Sequence, residues 1–139
     1  MKKLLTLAVT MAIALSAAAL PYSQARTEAL FLSDKMAYEL GLSLEQYEAV
    51  YEINFDYFYS INSRSALYGI YWQRRNIDLQ YVLSPFQYQC YQVASYFYRP
   101  LVWNNGSWRF VIRNRYTVST RIYMGRPAAY NTYRGGHNK

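Results

Sequence analysis

The amino-acid sequence predicts an α+β fold, mainly α, and three observations carry the prediction. The segment Leu42-Ser43-Leu44-Glu45-Gln46-Tyr47 returns as Leu83-Ser84-Pro85-Phe86-Gln87-Tyr88, and both copies contain the Ser-x-x-Gln of a helix start. Apolar residues around the two copies recur at helical spacing. After Pro100 the pattern changes to two β-prone runs joined by Asn105-Gly106, the strongest short hairpin signal. Four helices are therefore expected, at about 34–40, 44–61, 66–83 and 85–98. A small antiparallel hairpin or three-stranded meander should follow at about 101–124, and then an irregular tail.

The N-terminus reads as a targeting signal. Lys2 and Lys3 precede an apolar run from Leu4 to Leu20; Pro21 ends the run, and Ser23-Gln24-Ala25 is a small-x-small site before Arg26. Cleavage is expected after Ala25, with a cut after Ala19 as the alternative. The run sits at the lower limit of what a membrane span needs, and no later stretch could span, so the processed chain should not cross a membrane. Residues 1–25 are then a signal peptide and the chain is exported, to the periplasm or beyond. The 114 residues from Arg26 to Lys139 are one domain's worth. They divide into a helical region (26–98), a hairpin or meander packed on it (99–124) and a basic irregular tail (125–139).

The elements follow in order. Ser33 can cap a short helix from Asp34 to Leu40, with Gly41 as its stop. Ser43 opens the second helix through a capping box with Gln46, while Leu42 and Tyr47 occupy the two positions of a hydrophobic staple. Tyr47, Val50, Tyr51, Asn54, Phe58 and Ile61 share one face of it; Glu45, Glu48, Glu52 and Asp56 share the other. The third helix is apolar nearly all round, with Leu67, Ile70, Trp72, Ile77, Leu79 and Tyr81, which predicts a central position. Ser84 and Gln87 box the start of the fourth, stapled by Leu83 and Tyr88, and Pro85 suits its first position. Pro100 should end that helix near Tyr98. Phe86, Cys90, Val93 and Phe97 form a stripe expected to face the core. Cys90 is the single cysteine; it leaves no internal disulfide and reads as a small buried apolar residue. In the hairpin, alternation predicts Trp108, Phe110 and Ile112 inward and Arg109, Val111 and Arg113 outward.

Charge is split along the chain. Between Arg26 and Asp56 seven acids face two bases, net −5; from Leu79 onward seven Arg and one Lys meet no acid, net +8. Either one half answers the other, or a basic face awaits an anionic partner. Arg109, Arg113, Arg115, Arg121, Arg126 and Arg134, interleaved with Tyr and Trp, are the candidate surface for such a partner. For an exported chain that partner is an acidic glycan, lipid or protein, and nucleic acid is not expected.

Catalytic parts are scarce. His137 is the single histidine, close to the C-terminus. Zinc spacing, a phosphate loop and a nucleophile elbow are all missing from the sequence. No catalytic residue, cofactor or metal ligand is assigned. A cleft gathering Glu45, Glu52 or Asp78 beside His137 would be needed to revive an enzyme reading.

Leu42-Ser43-Leu44-Glu45-Gln46 and Leu83-Ser84-Pro85-Phe86-Gln87 resemble the paired LTxxQ motifs of the Spy/CpxP family, with Ser in place of the equivalent N-cap Thr. The resemblance covers about residues 33–98. It implies a small all-helical periplasmic protein, an ATP-independent chaperone or envelope-stress regulator that holds unfolded or envelope proteins on a concave face, commonly as a homodimer. Trp72-Gln73-Arg74-Arg75-Asn76, Tyr96-Phe97-Tyr98-Arg99-Pro100 and Tyr133-Arg134-Gly135-Gly136 are similar to stretches of uncharacterised exported bacterial proteins. The expected function is therefore non-enzymatic protein binding. The alternative is a structural or adhesive envelope protein that binds an anionic polymer through its Arg/Tyr-rich half. Exposure of the apolar faces of residues 44–61 and 85–98 would favour client binding, and their burial would make the chain a closed globular domain and move function to the basic surface.

Overall fold

Helix α1 (Tyr22–Leu40) and helix α2 (Leu44–Ser60) form the first of two helical hairpins in a computed structural model that describes residues 19–117 and 121–132. Gly41 ends α1 with φ 67°, ψ 47°, the left-handed conformation in which glycine carries no Cβ penalty. Ser43 then caps α2: its hydroxyl accepts from the Gln46 N–H, and the Gln46 side chain accepts from the Ser43 N–H. After a 3₁₀ turn at Arg64–Ala66, helices α3 (Ile70–Val82) and α4 (Pro85–Val93) make the second hairpin, opened by the same box at Ser84 and Gln87. A single turn α5 (Ser95–Tyr98) leads into strands β1 (Leu101–Asn104) and β2 (Ser107–Phe110). They pair antiparallel with Trp103 opposite Trp108. Asn105 (φ 52°) and Gly106 (φ 81°) supply the two positive φ angles that a tight hairpin turn needs. A helical turn α6 (Ile112–Arg115) and a 3₁₀ turn at Ala128–Asn131 complete the described chain. The class is α+β, mainly α, as expected.

Helix α2 is the centre of the packing: α1 lies on one side of it and α3 on another, and the 128–131 turn closes over it. Its buried side chains are Tyr47, Val50, Tyr51, Asn54, Phe55, Tyr57 and Phe58. They meet Leu30, Phe31 and Met36 of α1, Leu79 of α3, Tyr91, Phe97 and Tyr130 in one aromatic-rich core. The hairpin is held to it by Phe110 edge-on to Phe58 (5.3 Å) and by Ile112, which is buried.

Several expectations need correction. The first helix begins at Tyr22, not near 34, and so runs through the expected cleavage point after Ala25. Ser33 does not cap it; Ser33 is buried mid-helix and its hydroxyl accepts from Asn54 Nδ2 at 2.9 Å. The third helix starts at Ile70 because Gly69, at φ −89°, ψ −141°, breaks the chain before it. It is not central either. Only Arg75, Asn76 and Leu79 of α3 are buried, and Ile70, Ile77 and Tyr81 face out. The fourth helix stops at Val93, since Ala94 turns to φ −86°, ψ 95°. At the end of the next turn, just before Pro100, the carbonyls of Phe97 and Tyr98 lack intrahelical partners and accept from Arg75 and Trp72.

The expected stripe on the fourth helix holds only at Phe97, which is buried: Phe86 and Val93 are 74% and 79% exposed, and Cys90 is half-buried, whereas Tyr91 points inward. Among the described residues no third strand forms. The chain after β2 turns into α6, and residues 118–120 of the expected strand lie outside the described part. Nor is residue 125 the start of a purely irregular tail, because Pro127 and Tyr130 are buried under the 3₁₀ turn. No helix among the described residues is long and apolar enough to cross a membrane.

Candidate functional site

The two copies of the repeated motif meet. Gln46 Nε2 donates to Gln87 Oε1 at 2.7 Å and to the Val82 carbonyl at 3.1 Å. Gln87 Nε2 donates to the Leu40 carbonyl at 3.2 Å. Val82 and Leu40 are the last residues of α3 and α1, where carbonyls lack intrahelical partners. Each glutamine therefore closes the start of its own helix, the end of the other hairpin's first helix, and the contact between hairpins. The staple residues Leu42 and Leu83 are buried beneath, Tyr47 is buried and Tyr88 is half-buried, its ring 5.6 Å from that of Tyr91. Burial raises the phenol pKa of Tyr47 above its ordinary value, and its hydroxyl donates to the Gly125 carbonyl. The motif is thus engaged within the fold.

Around this junction lie large apolar side chains that the fold leaves in solvent. Leu44 (59% exposed) is two residues before Gln46, Phe86 adjoins Gln87, and Tyr81 (87% exposed) adjoins Val82. Tyr38, two residues before Leu40, is also exposed, and stacks on Tyr123 at 4.3 Å. Two helix starts and two helix ends thus bring apolar groups to one end of the helical region.

Elsewhere, one half of the chain does answer the other. Arg113 makes a two-pronged contact with Glu28 (3.0 and 3.1 Å) and lies 3.6 Å above the Phe31 ring. Arg115 donates to Glu39 at 2.8 Å, and the Tyr96 and Tyr116 hydroxyls donate to the same carboxylate. Burial alone would raise the Glu39 pKa, but those three donors outweigh it and hold the carboxyl below its ordinary value. Burial and the bond to Glu39 push Tyr116 up to about 12. Asp34 and Lys35 form a fully buried ion pair at 2.9 Å. Asp34 accepts from the N–H groups of Tyr123 and Met124, and Lys35 donates to the Arg121 carbonyl at 2.7 Å among the rings of Phe31, Tyr116 and Tyr123. Glu48 accepts from the Ala128 N–H, and Arg26 donates to the Tyr130 carbonyl.

Arg75 was not singled out by its sequence pattern, yet its side chain is buried in the core. Nε donates to Asn54 Oδ1 (2.8 Å), Nη1 to the Tyr91 hydroxyl (2.8 Å) and Nη2 to the Phe97 carbonyl (3.0 Å). Tyr91 in turn donates to Asn76 at 2.5 Å, and burial pushes its phenol up to about 12 despite the nearby guanidinium. Asn54 on the apolar face of α2 was the one visible hint of a polar partner in the core. A cleft beside Arg75, lined by Ile53, Asp56, Tyr57, Tyr71, Arg74 and Asp78, has a volume of about 20 Å³, room for about one water molecule.

Of the basic candidate surface, Arg113 and Arg115 are held by carboxylates, Arg109, Arg121 and Arg126 are exposed, and Arg134 lies outside the described residues, as does His137. Arg121 and Arg126 lie over Tyr123 and Tyr130, at 5.2 and 5.0 Å. Glu45 and Glu52 are separately exposed, and no group of three or more His, Cys, Asp or Glu able to hold a metal gathers among the described residues. Comparison with known protein-family models, curated proteins and solved structures gives no match in any of the three.

Proposed function

We propose that the chain is an exported, non-enzymatic protein that binds other proteins, in the manner of the Spy/CpxP-like chaperones and regulators that its repeated motif resembles. The binding surface in this reading is the apolar end of the helical region, not a concave helical face. The observation that carries it is the exposure of Leu44, Tyr81 and Phe86 around the Gln46–Gln87 contact. Monomeric surfaces seldom gather large apolar groups without a partner for them. The inner faces of α2 and α4 are already occupied by the protein's own aromatic core.

The test is light scattering of a chemically denatured client diluted into buffer with the protein at stoichiometric amounts. Aggregation should be suppressed. A Leu44→Ser/Tyr81→Ser/Phe86→Ser variant with unchanged helical circular dichroism should lose most of that effect. No suppression by the native chain would overturn the reading.

A second reading, binding of an anionic envelope polymer, has one supporting observation. Arg109 is exposed on the hairpin next to the half-buried Trp103–Trp108 pair, whose ring centroids lie 4.8 Å apart. It requires salt-sensitive binding to acidic glycan or anionic vesicles that weakens in an Arg109→Gln/Arg126→Gln variant. Those two positions are informative because Arg113 and Arg115 also hold the fold together.

A further inference from the structure

The scissile bond of the signal peptide can be placed from the fold. We infer that a signal peptidase cuts between Ala19 and Leu20, and that the mature protein begins at Leu20. The inference rests on the export reading above and adds the processing site to it.

The six residues between the two candidate sites, Leu20 to Ala25, belong to the folded domain. Leu20 is 5% exposed and Ala25 0%. Pro21 is the N-cap of α1, and its carbonyl accepts from the Ala25 N–H at 2.9 Å. The Tyr22 ring meets Phe55 and Tyr59 of α2 edge-on, at 5.4 and 5.6 Å. Its hydroxyl donates to the carbonyl of Thr132 at 2.8 Å, tying the start of α1 to the far end of the described chain.

A cut after Ala25 would delete all of this. It would also place a new ammonium on Arg26, inside the helix. The positive end of the helix dipole disfavours a cation there. A cut after Ala19 keeps the Tyr22 anchor and puts the new terminus two residues before the N-cap Pro21's first helical neighbour, outside the helix.

The sequence before that bond also fits a peptidase. Ala17 and Ala19 supply the small-x-small pattern. The apolar region then runs from Leu4 to Ser16, 13 residues, within the roughly 7–15 usual for a signal peptide. Taken to Leu20 it would be 17. Ala19 is exposed, as is Ser23, so both positions accept a bulky test residue without disturbing the core.

The experiment expresses the full chain in a Gram-negative host and reads the N-terminus of the accumulated protein by intact mass and N-terminal sequencing. Two variants accompany it. Ala19→Phe blocks the small residue next to the proposed bond, and Ser23→Phe blocks the outer small residue of the competing small-x-small site, whose inner one, Ala25, is buried.

A periplasmic product that begins at Leu20, precursor accumulation in Ala19→Phe, and normal processing in Ser23→Phe are the expected results. A product beginning at Arg26 that is lost in Ser23→Phe would overturn the placement while leaving export intact. An uncleaved chain retained in the cytoplasm or membrane would overturn the export reading and the placement with it.

Discussion

Truncating the two interlocked glutamines tests the structural meaning of the repeat. In Gln87→Ala the Ser84 N–H loses its acceptor, the Leu40 carbonyl loses a donor, and both reciprocal bonds with Gln46 disappear. Gln46→Ala removes the equivalent bonds to the Ser43 N–H and the Val82 carbonyl, and the same two mutual bonds. At roughly 0.5 kcal/mol net for each of these part-buried bonds, each single variant should lose about 2 kcal/mol. The two shared bonds can be lost only once. The double variant should therefore lose about 3 kcal/mol instead of 4, a coupling of about 1 kcal/mol. For a domain of this size each single change lowers Tm by roughly 6–10 °C. The assay is urea unfolding followed by far-UV circular dichroism on the four proteins of the cycle, with Gln92→Ala, at an exposed position, as a control expected to stay within about 0.5 kcal/mol. Additive losses, with coupling below about 0.3 kcal/mol, would refute the claim that the two motifs hold each other.

Two further outcomes follow from the charges. The folded pKa of Glu39 lies below its unfolded value, so the native state binds fewer protons in that range. The stability that Glu39 contributes is present above the ordinary glutamate value of about 4.3 and is lost as pH falls through the folded pKa. Urea midpoints should therefore drop on acidification below about pH 5, and Glu39→Gln should flatten part of that drop; an unchanged acid slope in the variant would contradict it. Lys35→Met removes one member of a fully buried pair and leaves Asp34 charged beneath the 121–125 segment. It should cost about 3 kcal/mol, measured by the same unfolding assay, and a cost below about 1 kcal/mol would show that the backbone N–H groups of Tyr123 and Met124 alone hold the Asp34 charge.

Local chemistry was legible in the sequence and long-range pairing was not. The Ser43 and Ser84 caps, the Gly41 stop and the Asn105-Gly106 turn each depend on residues within a few positions of one another, and each lies where the sequence puts it. The start of α1 at Tyr22 is masked in the sequence because Ser33-Asp34 looks like a cap. Both side chains are instead engaged by distant partners, Asn54 and the backbone at Tyr123 and Met124. Helical periodicity also put Phe86 and Val93 inside and gave no sign of Arg75. The core selected Tyr91 and the Arg75 guanidinium in their place, because a hydrogen-bonded network of Asn54, Tyr91 and the α5 carbonyls satisfies that charge. Such a choice depends on which elements meet, and no local window of sequence contains it. The apolar end around Leu44, Tyr81 and Phe86 was hidden for the same reason, since its residues come from three helices.

The way the chain closes on itself decides where a protein partner can bind. A client held on the inner helical faces would have to displace the segment after β2. That segment buries Ile112 and Tyr130 in the core, at roughly 1.5–3 kcal/mol each. It also accepts or donates the hydrogen bonds to Asp34, Lys35, Arg26, Tyr47 and Tyr22, each about 1 kcal/mol net. Displacement would cost on the order of 8 kcal/mol, which is comparable to the whole stability of a typical domain. Opening the inner face is therefore close to unfolding, and at about 1.4 kcal/mol per decade it would be populated in roughly one molecule in 10⁵ to 10⁶. Leu44, Tyr81 and Phe86 need no such rearrangement, because they are in solvent while the core stays shut. A binding role for this protein is compatible with its closed core only at surfaces of that kind, which is why the triple serine variant discriminates more sharply than any change inside the bundle.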